Sequence, residues 1–192
     1  MKKDITELFY HVDEFASGLE KEGARYQRSK NSDSRSPTRV PGLSMGEIMM
    51  IMLMFQESPC RNFKYFYKSY MTLYRPEFPN MPSYERFVAL MPRAFIFLSV
   101  LLYSLLSPGQ GIGYIDATSL AICHPKRISQ NKVFKGLAAL GKTTKGWFFG
   151  FKLHVIIDEK GNLLRVKLTK GNVDDRQVVP QMTKGLLGLL FG

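Results

Sequence analysis

The spacing of hydrophobic and polar positions along this chain changes near residue 108. Before that point apolar residues recur at three- and four-residue steps, beginning with residues 3–22, as they do on one face of an amphipathic helix. After Gly111 the spacing is that of strands, in the segments GIGYIDATSLAIC, GWFFGFKLHVIID and LLRVKLTKG. The pattern predicts an all-helical part, residues 1–108, followed by an α/β (α+β) part, residues 109–192, that opens with three strands.

Capping residues and breakers divide the helical part further. Ser44 and Glu47 have capping-box spacing ahead of the apolar run IMMIMLMF, and Ser83 is a candidate N-cap. Between Gly23 and Gly42 the chain is rich in Ser, Pro and basic residues and lacks apolar periodicity. This stretch is predicted to be a linker whose Arg and Lys side chains could touch DNA.

The most apolar window, AFIFLSVLLYSLL, is 13 residues long. Spanning a bilayer takes about 20 residues, so the window is predicted to be a buried helix rather than a membrane-associated segment. The amino terminus has acidic residues where a signal peptide needs an apolar core. Cys60 and Cys123 are far apart and suggest neither a disulfide framework nor a zinc site. These features predict a cytoplasmic protein with no membrane partner.

Basic charge is concentrated in the second part of the chain. Of the net charge of +11, most comes from residues 111–192, with 13 basic and 5 acidic side chains. A run without any acidic residue contains the candidate DNA-binding side chains Lys126, Arg127, Lys132, Lys135, Lys142, Lys145 and Lys152. This density suits a phosphate backbone or an anionic membrane, although a solvated basic face has the same composition. Residues 61–74 mix aromatic and basic side chains, which fits either nucleic-acid stacking or an amphipathic helix with its aromatics inward.

Asp116 lies inside GIGYIDATSLAIC, a segment otherwise typical of a buried strand. Aspartate is depleted in strands and costly to bury without a partner. Alternation places it on the same face as Ile112 and Tyr114. From the residues alone, Asp116 could cap a strand end, bond to buried groups or bind a hard cation such as Mg²⁺.

Other polar residues near these strands have simpler interpretations. His124 and His154 could touch a phosphate or a metal, but isolated histidines more often satisfy local hydrogen bonds. Asp174 and Asp175 open a predicted helix, where a cap and an acidic first turn are favourable. A structural role is therefore favoured for both aspartates over a catalytic one.

Six longer segments share features with one family of proteins: LSMGEIMMIMLMF, RNFKYFY, YERFVALM, YIDATSLAICHPKRI, KVFKGLAALGKTTKGWFFGFKLHVIID and KLTKGNVDDRQVVPQMTKGLLGLLFG. They resemble bacterial insertion-sequence transposases of the DDE type, most closely the family catalogued as insertion sequence nine-eight-two. The resemblance covers the chain from about Leu43 onward. It implies an RNase H-like catalytic domain behind a helical DNA-binding domain, with Asp, Asp and Glu holding two Mg²⁺ ions. Asp116 matches the first of these acids, as a catalytic and metal-binding residue.

The resemblance also implies an activity and partners. The activity is Mg²⁺-dependent DNA strand cleavage and strand transfer at the ends of the element, and the partners are its terminal repeats and target DNA. The complete protein is expected to be a homo-oligomer. Because the family's second Asp is expected directly after KGLLGLLFG, the end at Gly192 predicts a truncated chain that is inactive alone. The alternatives are a non-catalytic DNA-binding protein that inhibits the intact transposase, or the product of a degraded gene.

Overall fold

The computed structural model describes residues 5–30, 42–144 and 146–192. The chain divides into two compact units, Met1–Ser104 and Leu105–Gly192. The described elements of the first unit are α-helices and short 3₁₀ turns, whereas the second unit contains a five-stranded sheet, one α-helix and one 3₁₀ turn. The chain is therefore of mixed α/β composition, as predicted.

The first unit is built around a buried helix rich in methionine. Its helices are α1 (Ile5–Lys30), α2 (Met45–Glu57), α3 (Phe63–Lys68), α4 (Tyr84–Leu90) and α5 (Ala94–Ser104), with 3₁₀ turns at Tyr70–Tyr74 and Met91–Arg93. Met49, Met50 and Ile51 of α2 are fully buried and pack with Phe66 and Phe87. The apolar run after Ser44 is thus the core of this unit, since every side of α2 finds a neighbour.

Helix α1 is longer than its apolar periodicity predicts. It continues to Lys30, so the predicted linker is wrong for residues 23–30. Its last turns consist mainly of Lys, Glu, Arg and Gln, which are good helix formers even where no apolar stripe guides the helix. The remainder of the predicted linker, residues 31–41, lies outside the described part of the chain.

The aromatic and basic residues of α3 separate into a buried and an exposed face. Phe66 and Tyr67 are buried, while Lys64 and Lys68 are exposed. The Tyr67 hydroxyl donates to the carbonyl of Pro82 at 2.8 Å, and burial raises the pKa of Tyr67 to about 12. Phe66 and Tyr67 thus pack inward, as one alternative for this segment predicts, whereas Tyr65 is 59% exposed.

The apolar helix α5 is only partly buried. Phe97, Leu98 and Leu101 pack against the core of the first unit, but Phe95 and Tyr103 are exposed. The expectation of a fully buried helix is therefore wrong, because only one side of α5 meets the other helices of its unit. By length and composition alone, one described segment, Tyr84–Ser104, would suffice to cross a membrane.

The sheet of the second unit is organised around its third strand. The strands are β1 (Gln110–Cys123), β2 (Ala139–Thr143), β3 (Gly146–Asp158), β4 (Leu163–Lys170) and β5 (Leu187–Phe191). Strand β3 pairs antiparallel with β1 on one edge and with β2 and β4 on the other. Strand β5 pairs parallel with the first part of β1. The three predicted strands are confirmed as β1, β3 and β4, whereas β2 and β5 were not predicted.

Helix α6 (Asp175–Met182) covers one face of this sheet. Val178 and Met182 pack against Ile156 and Leu164 in a small buried cluster. Asp174 is the N-cap, and its carboxylate accepts a hydrogen bond from the Arg176 amide at 2.9 Å. The structural role predicted for this aspartate is confirmed.

The capping box of α2 provides a first prediction about stability. The Ser44 hydroxyl accepts from the Glu47 amide at 3.0 Å, and the Glu47 carboxylate accepts from the Ser44 amide at 2.7 Å. Because Ser44→Ala leaves a helix N–H without its partner, we expect it to lower the free energy of unfolding by about 1 kcal/mol. Urea unfolding followed by far-ultraviolet circular dichroism measures this change.

Ser99→Ala is the matched control, because Ser99 lies within α5 and its hydroxyl donates to the carbonyl of Phe95 in the same helix. Alanine is the best helix former, so this variant should be neutral or slightly stabilising. Equal losses in the two variants would contradict a specific role for the cap.

Candidate functional site

Asp116 lies in the middle of β1 with its side chain exposed. It stands opposite Val155 of β3, and its Oδ1 accepts a hydrogen bond from the amide of Ala117 at 2.8 Å. On the other face of β1, Gly113 is buried and Ile115 packs against the cluster beneath α6. The predicted alternation is confirmed, but β1 is not a fully buried strand, because α6 covers only one face of the sheet.

Strand β5 brings the end of the described chain close to Asp116. Its parallel register with β1 runs as far as Tyr114 opposite Phe191. Gly192 then lies against Ile115, where an added Cβ would stand 2.8 Å from the Ile115 carbonyl oxygen. In this register Gly192 is level with Ile115, the residue before Asp116. Strand β5 therefore lies beside the part of β1 that leads to the candidate carboxylate.

The residues around Asp116 do not form a site for two metal ions. Such a site needs several carboxylates that converge on ions about 3.5–4 Å apart. Within residues 5–30, 42–144 and 146–192, no group of three or more His, Cys, Asp or Glu side chains could hold a metal ion. Asp175 lies at the start of α6, on the opposite face of the sheet from Asp116. One exposed carboxylate can supply a ligand but not a two-ion site.

The candidate DNA-binding side chains fall into three groups. Lys126 and Arg127 lie on the 3₁₀ turn Pro125–Gln130, and Lys132 and Lys135 lie on the loop after it. These four side chains are exposed and form no ion pair in the described part of the chain. Such cations are available for an anionic partner.

The other three candidates differ from these four. Lys142 is exposed on β2, with its ammonium 5.7 Å from the ring centroid of Trp147. Lys145 lies outside the described residues. Lys152 is mostly buried, with 11% of its side chain exposed, and its ammonium contacts the Val173 carbonyl at 2.9 Å and Asp175 at 3.0 Å. Lys152 is therefore occupied by bonds within its own unit.

His154 belongs to the same polar network beneath α6. Its side chain is 1% exposed, its Nε2 lies 2.8 Å from the Thr169 hydroxyl, and its Nδ1 lies 3.9 Å from the Asp175 carboxylate. Burial lowers the pKa of His154, and the charge of Lys152 acts in the same direction, whereas Asp175 raises it. His154 is thus a neutral structural residue.

His124 also has a local role. It is the N-cap of the 3₁₀ turn, and its Nδ1 accepts from the Lys126 amide at 3.3 Å. The interpretation of both histidines as locally bonded residues is confirmed.

Trp147 is a candidate that the sequence reasoning missed. It begins the long strand β3, pairs with Lys142 across the β2–β3 ladder, and is 61% exposed. Its signal in the sequence is weak, because GWFFGF is also an ordinary apolar strand. Only the placement of β2 beside β3 brings the indole and the ammonium together.

The neutral His154 makes stability depend on pH. Since its pKa is lowered by burial, the unfolded chain takes up a proton near pH 6.5, while the folded chain does so only at lower pH. Stability should therefore fall as the pH drops below about 6.5, by at most about 1.4 kcal/mol per pH unit for one proton. We expect His154→Gln to lose this component, as measured by urea unfolding between about pH 7.5 and about pH 5.

His11→Gln is the control, because His11 is exposed in the other unit. It should retain the pH dependence of the unaltered chain. If His154→Gln retained it as well, the acid sensitivity would come from other groups.

Comparison with known proteins bears on the second unit. Residues 107–192 match the family model described as the transposase DDE domain. No curated protein and no solved structure matches the chain. The matched range includes all five strands, α6 and Asp116. Residues 107–192 are therefore similar to the DDE domain of transposases, which supports a transposase-type function with DNA as the partner that this family implies.

Proposed function

We propose that this chain is part of a bacterial insertion-sequence transposase of the family catalogued as insertion sequence nine-eight-two. In this proposal Asp116 is the first acid of the catalytic triad, and residues 1–108 form a helical DNA-binding region. The observation that carries it is the exposed carboxylate in the middle of β1, inside the segment that matches the transposase DDE domain. The complete protein would act in the cytoplasm as a homo-oligomer on terminal repeats and target DNA, with no membrane partner.

The strand arrangement supports an RNase H-like identity for the second unit. Strands β1, β3 and β4 form a continuous antiparallel group, and β5 returns through α6 to lie parallel to β1 on its free edge. A parallel neighbour requires such a crossover connection. Asp116 then stands on the strand between β3 and β5, where residues from neighbouring strands can converge.

The register of β5 supports the assignment of Asp116. In the family that the chain resembles, the second Asp follows the segment KGLLGLLFG. That segment ends here at Gly192, beside Ile115. A carboxylate supplied at the next position would stand level with Asp116 and could share a divalent ion with it.

We propose that the 192 residues by themselves bind DNA without cleaving it. Asp116 alone does not provide the ligands that two Mg²⁺ ions require. The exposed cations of the Pro125–Gln130 turn and the following loop nevertheless form a surface suited to phosphates. A chain with these properties could inhibit an intact transposase by occupying the ends of its element, which is the second candidate function.

The catalytic part of the proposal predicts an absence of cleavage. With duplex DNA that carries element ends and with Mg²⁺, we expect the purified chain to produce no nicks, because one carboxylate cannot hold two ions in working geometry. Denaturing electrophoresis of end-labelled DNA measures cleavage, and Asp116→Asn is the matched variant. Nicking by the unaltered chain that disappears in Asp116→Asn would contradict this prediction.

The DNA-binding part predicts a salt dependence that specific lysines control. Replacing Lys132 and Lys135 by Gln should reduce the slope of log affinity against log salt by up to about 2, since each phosphate contact contributes about 0.9. Fluorescence anisotropy of labelled duplex DNA at several salt concentrations measures the slope. The Asp116→Asn variant should bind like the unaltered chain.

The control for this experiment removes the same charge elsewhere. Lys160 and Lys184 are exposed on the β3–β4 turn and after α6, and their replacement by Gln should leave the slope nearly unchanged. Equal effects of the two double variants would mean that overall charge, not the loop after the 3₁₀ turn, governs binding.

A further inference from the structure

A large aromatic side chain is exposed on the β2–β3 hairpin. Trp147 is 61% exposed and belongs to neither of the two hydrophobic clusters of the described residues. Tryptophan is on average well buried, and a ring of this size gains considerable free energy when it leaves water. An indole held in solvent at the start of a well-paired strand is available for a partner.

A basic side chain accompanies this ring. The Lys142 ammonium is 5.7 Å from the ring centroid, within the range of a cation–π contact. At an exposed site that contact is worth only about 0.5–1 kcal/mol, so it does not account for the exposure of the indole. The contact does hold the Lys142 ammonium close to the ring. If a nucleotide base stacked on Trp147, its phosphate would be within reach of this charge.

An open groove of about 390 Å³ runs from Trp147 toward the start of α6. Its lining includes Gly141 and Gly171, which have no side chains. At Gly171 a Cβ would stand 2.8 Å from the Ala139 carbonyl oxygen, so the close approach of β2 to the end of β4 requires glycine here. The volume of the groove suits a ligand of nucleotide size.

The groove also has polar and charged lining residues. Asn172, Asp174 and Asp175 line it together with Lys142 and Lys152. Amide and carboxylate groups can bond with the edge of a base, whereas a carboxylate repels phosphate. Because the Lys152 ammonium is already paired with Asp175, Lys142 is the lining cation left for the phosphate of a bound nucleotide.

We propose that Trp147, together with Lys142, is a stacking platform for an unpaired base of single-stranded DNA. This inference rests on the proposed function of the chain, since it assumes DNA as the partner. An indole on a hairpin can stack only on a base that has left the duplex, and stacking of this kind accepts any base. Trp147 would thereby favour DNA that is locally opened beside the second unit.

The composition of the chain makes the proposal directly testable. Trp147 is the only tryptophan among the 192 residues, so intrinsic tryptophan fluorescence reports on this ring alone. Titration with a single-stranded oligothymidine should quench the emission and saturate, because a stacked base contacts the indole. A fully paired duplex of two separate strands should bind without comparable quenching.

Variants then separate stacking from charge. By fluorescence anisotropy of labelled DNA, Trp147→Ala should weaken binding of the oligothymidine by about 5-fold to about 150-fold, the range for the loss of one stacked base, and leave duplex affinity within about twofold. Trp147→Phe should retain part of the affinity. Tyr103→Ala is the control, because Tyr103 is an equally exposed aromatic residue, at 72%, in the other unit.

Each outcome decides the proposal, provided that circular dichroism shows the variants to be folded. Saturable quenching with a selective loss of single-strand affinity in Trp147→Ala supports it. Duplex binding without quenching by the oligothymidine, or an equal loss for both kinds of DNA, overturns it and leaves the proposed function intact. Failure to bind any DNA overturns both.

Discussion

The antiparallel ladder between β1 and β3 is the interaction on which the second unit depends. Its register joins Gly113 with Asp158 at one end and Cys123 with Phe149 at the other. Opposed residues in such a ladder share a face, so this one pairing places Asp116 on the exposed face and His154 on the face beneath α6. It also positions the first part of β1 to receive β5.

The two faces of the sheet carry different polar side chains. Beneath α6, Lys152 bonds to Asp175 and His154 bonds to Thr169, and the first of these pairs ties the start of the helix to β3 beside the apolar cluster. The opposite face carries Asp116 among exposed side chains. Lys152 and His154 of the segment FKLH therefore stabilise the packing of α6, whereas the carboxylate of Asp116 is exposed on the other face.

The features of this structure that could be predicted from the sequence are those that depend on residues close together in the chain. The alternation in β1, the cap at Ser44 and the cap at Asp174 are visible in the sequence because each depends on residues a few positions apart. Strands β2 and β5 have five residues each, too few for a clear period, and they exist because partners lie beside them. The internal bonds of Lys152 and the pairing of Trp147 with Lys142 were hidden for the same reason, since both depend on contacts between separate elements.

The placement of Asp116 has a consequence for how the sheet assembles. If β1 slipped by one residue against β3, every side chain of β1 would change face. In the slip that sets Asp116 opposite Ile156, the carboxylate would enter the apolar cluster there. Burying an unpaired carboxylate costs several kcal/mol. Asp116 thus penalises the misregistered sheet during folding, a contribution to fidelity that any chain carrying this residue keeps whether or not the carboxylate ever meets a metal ion.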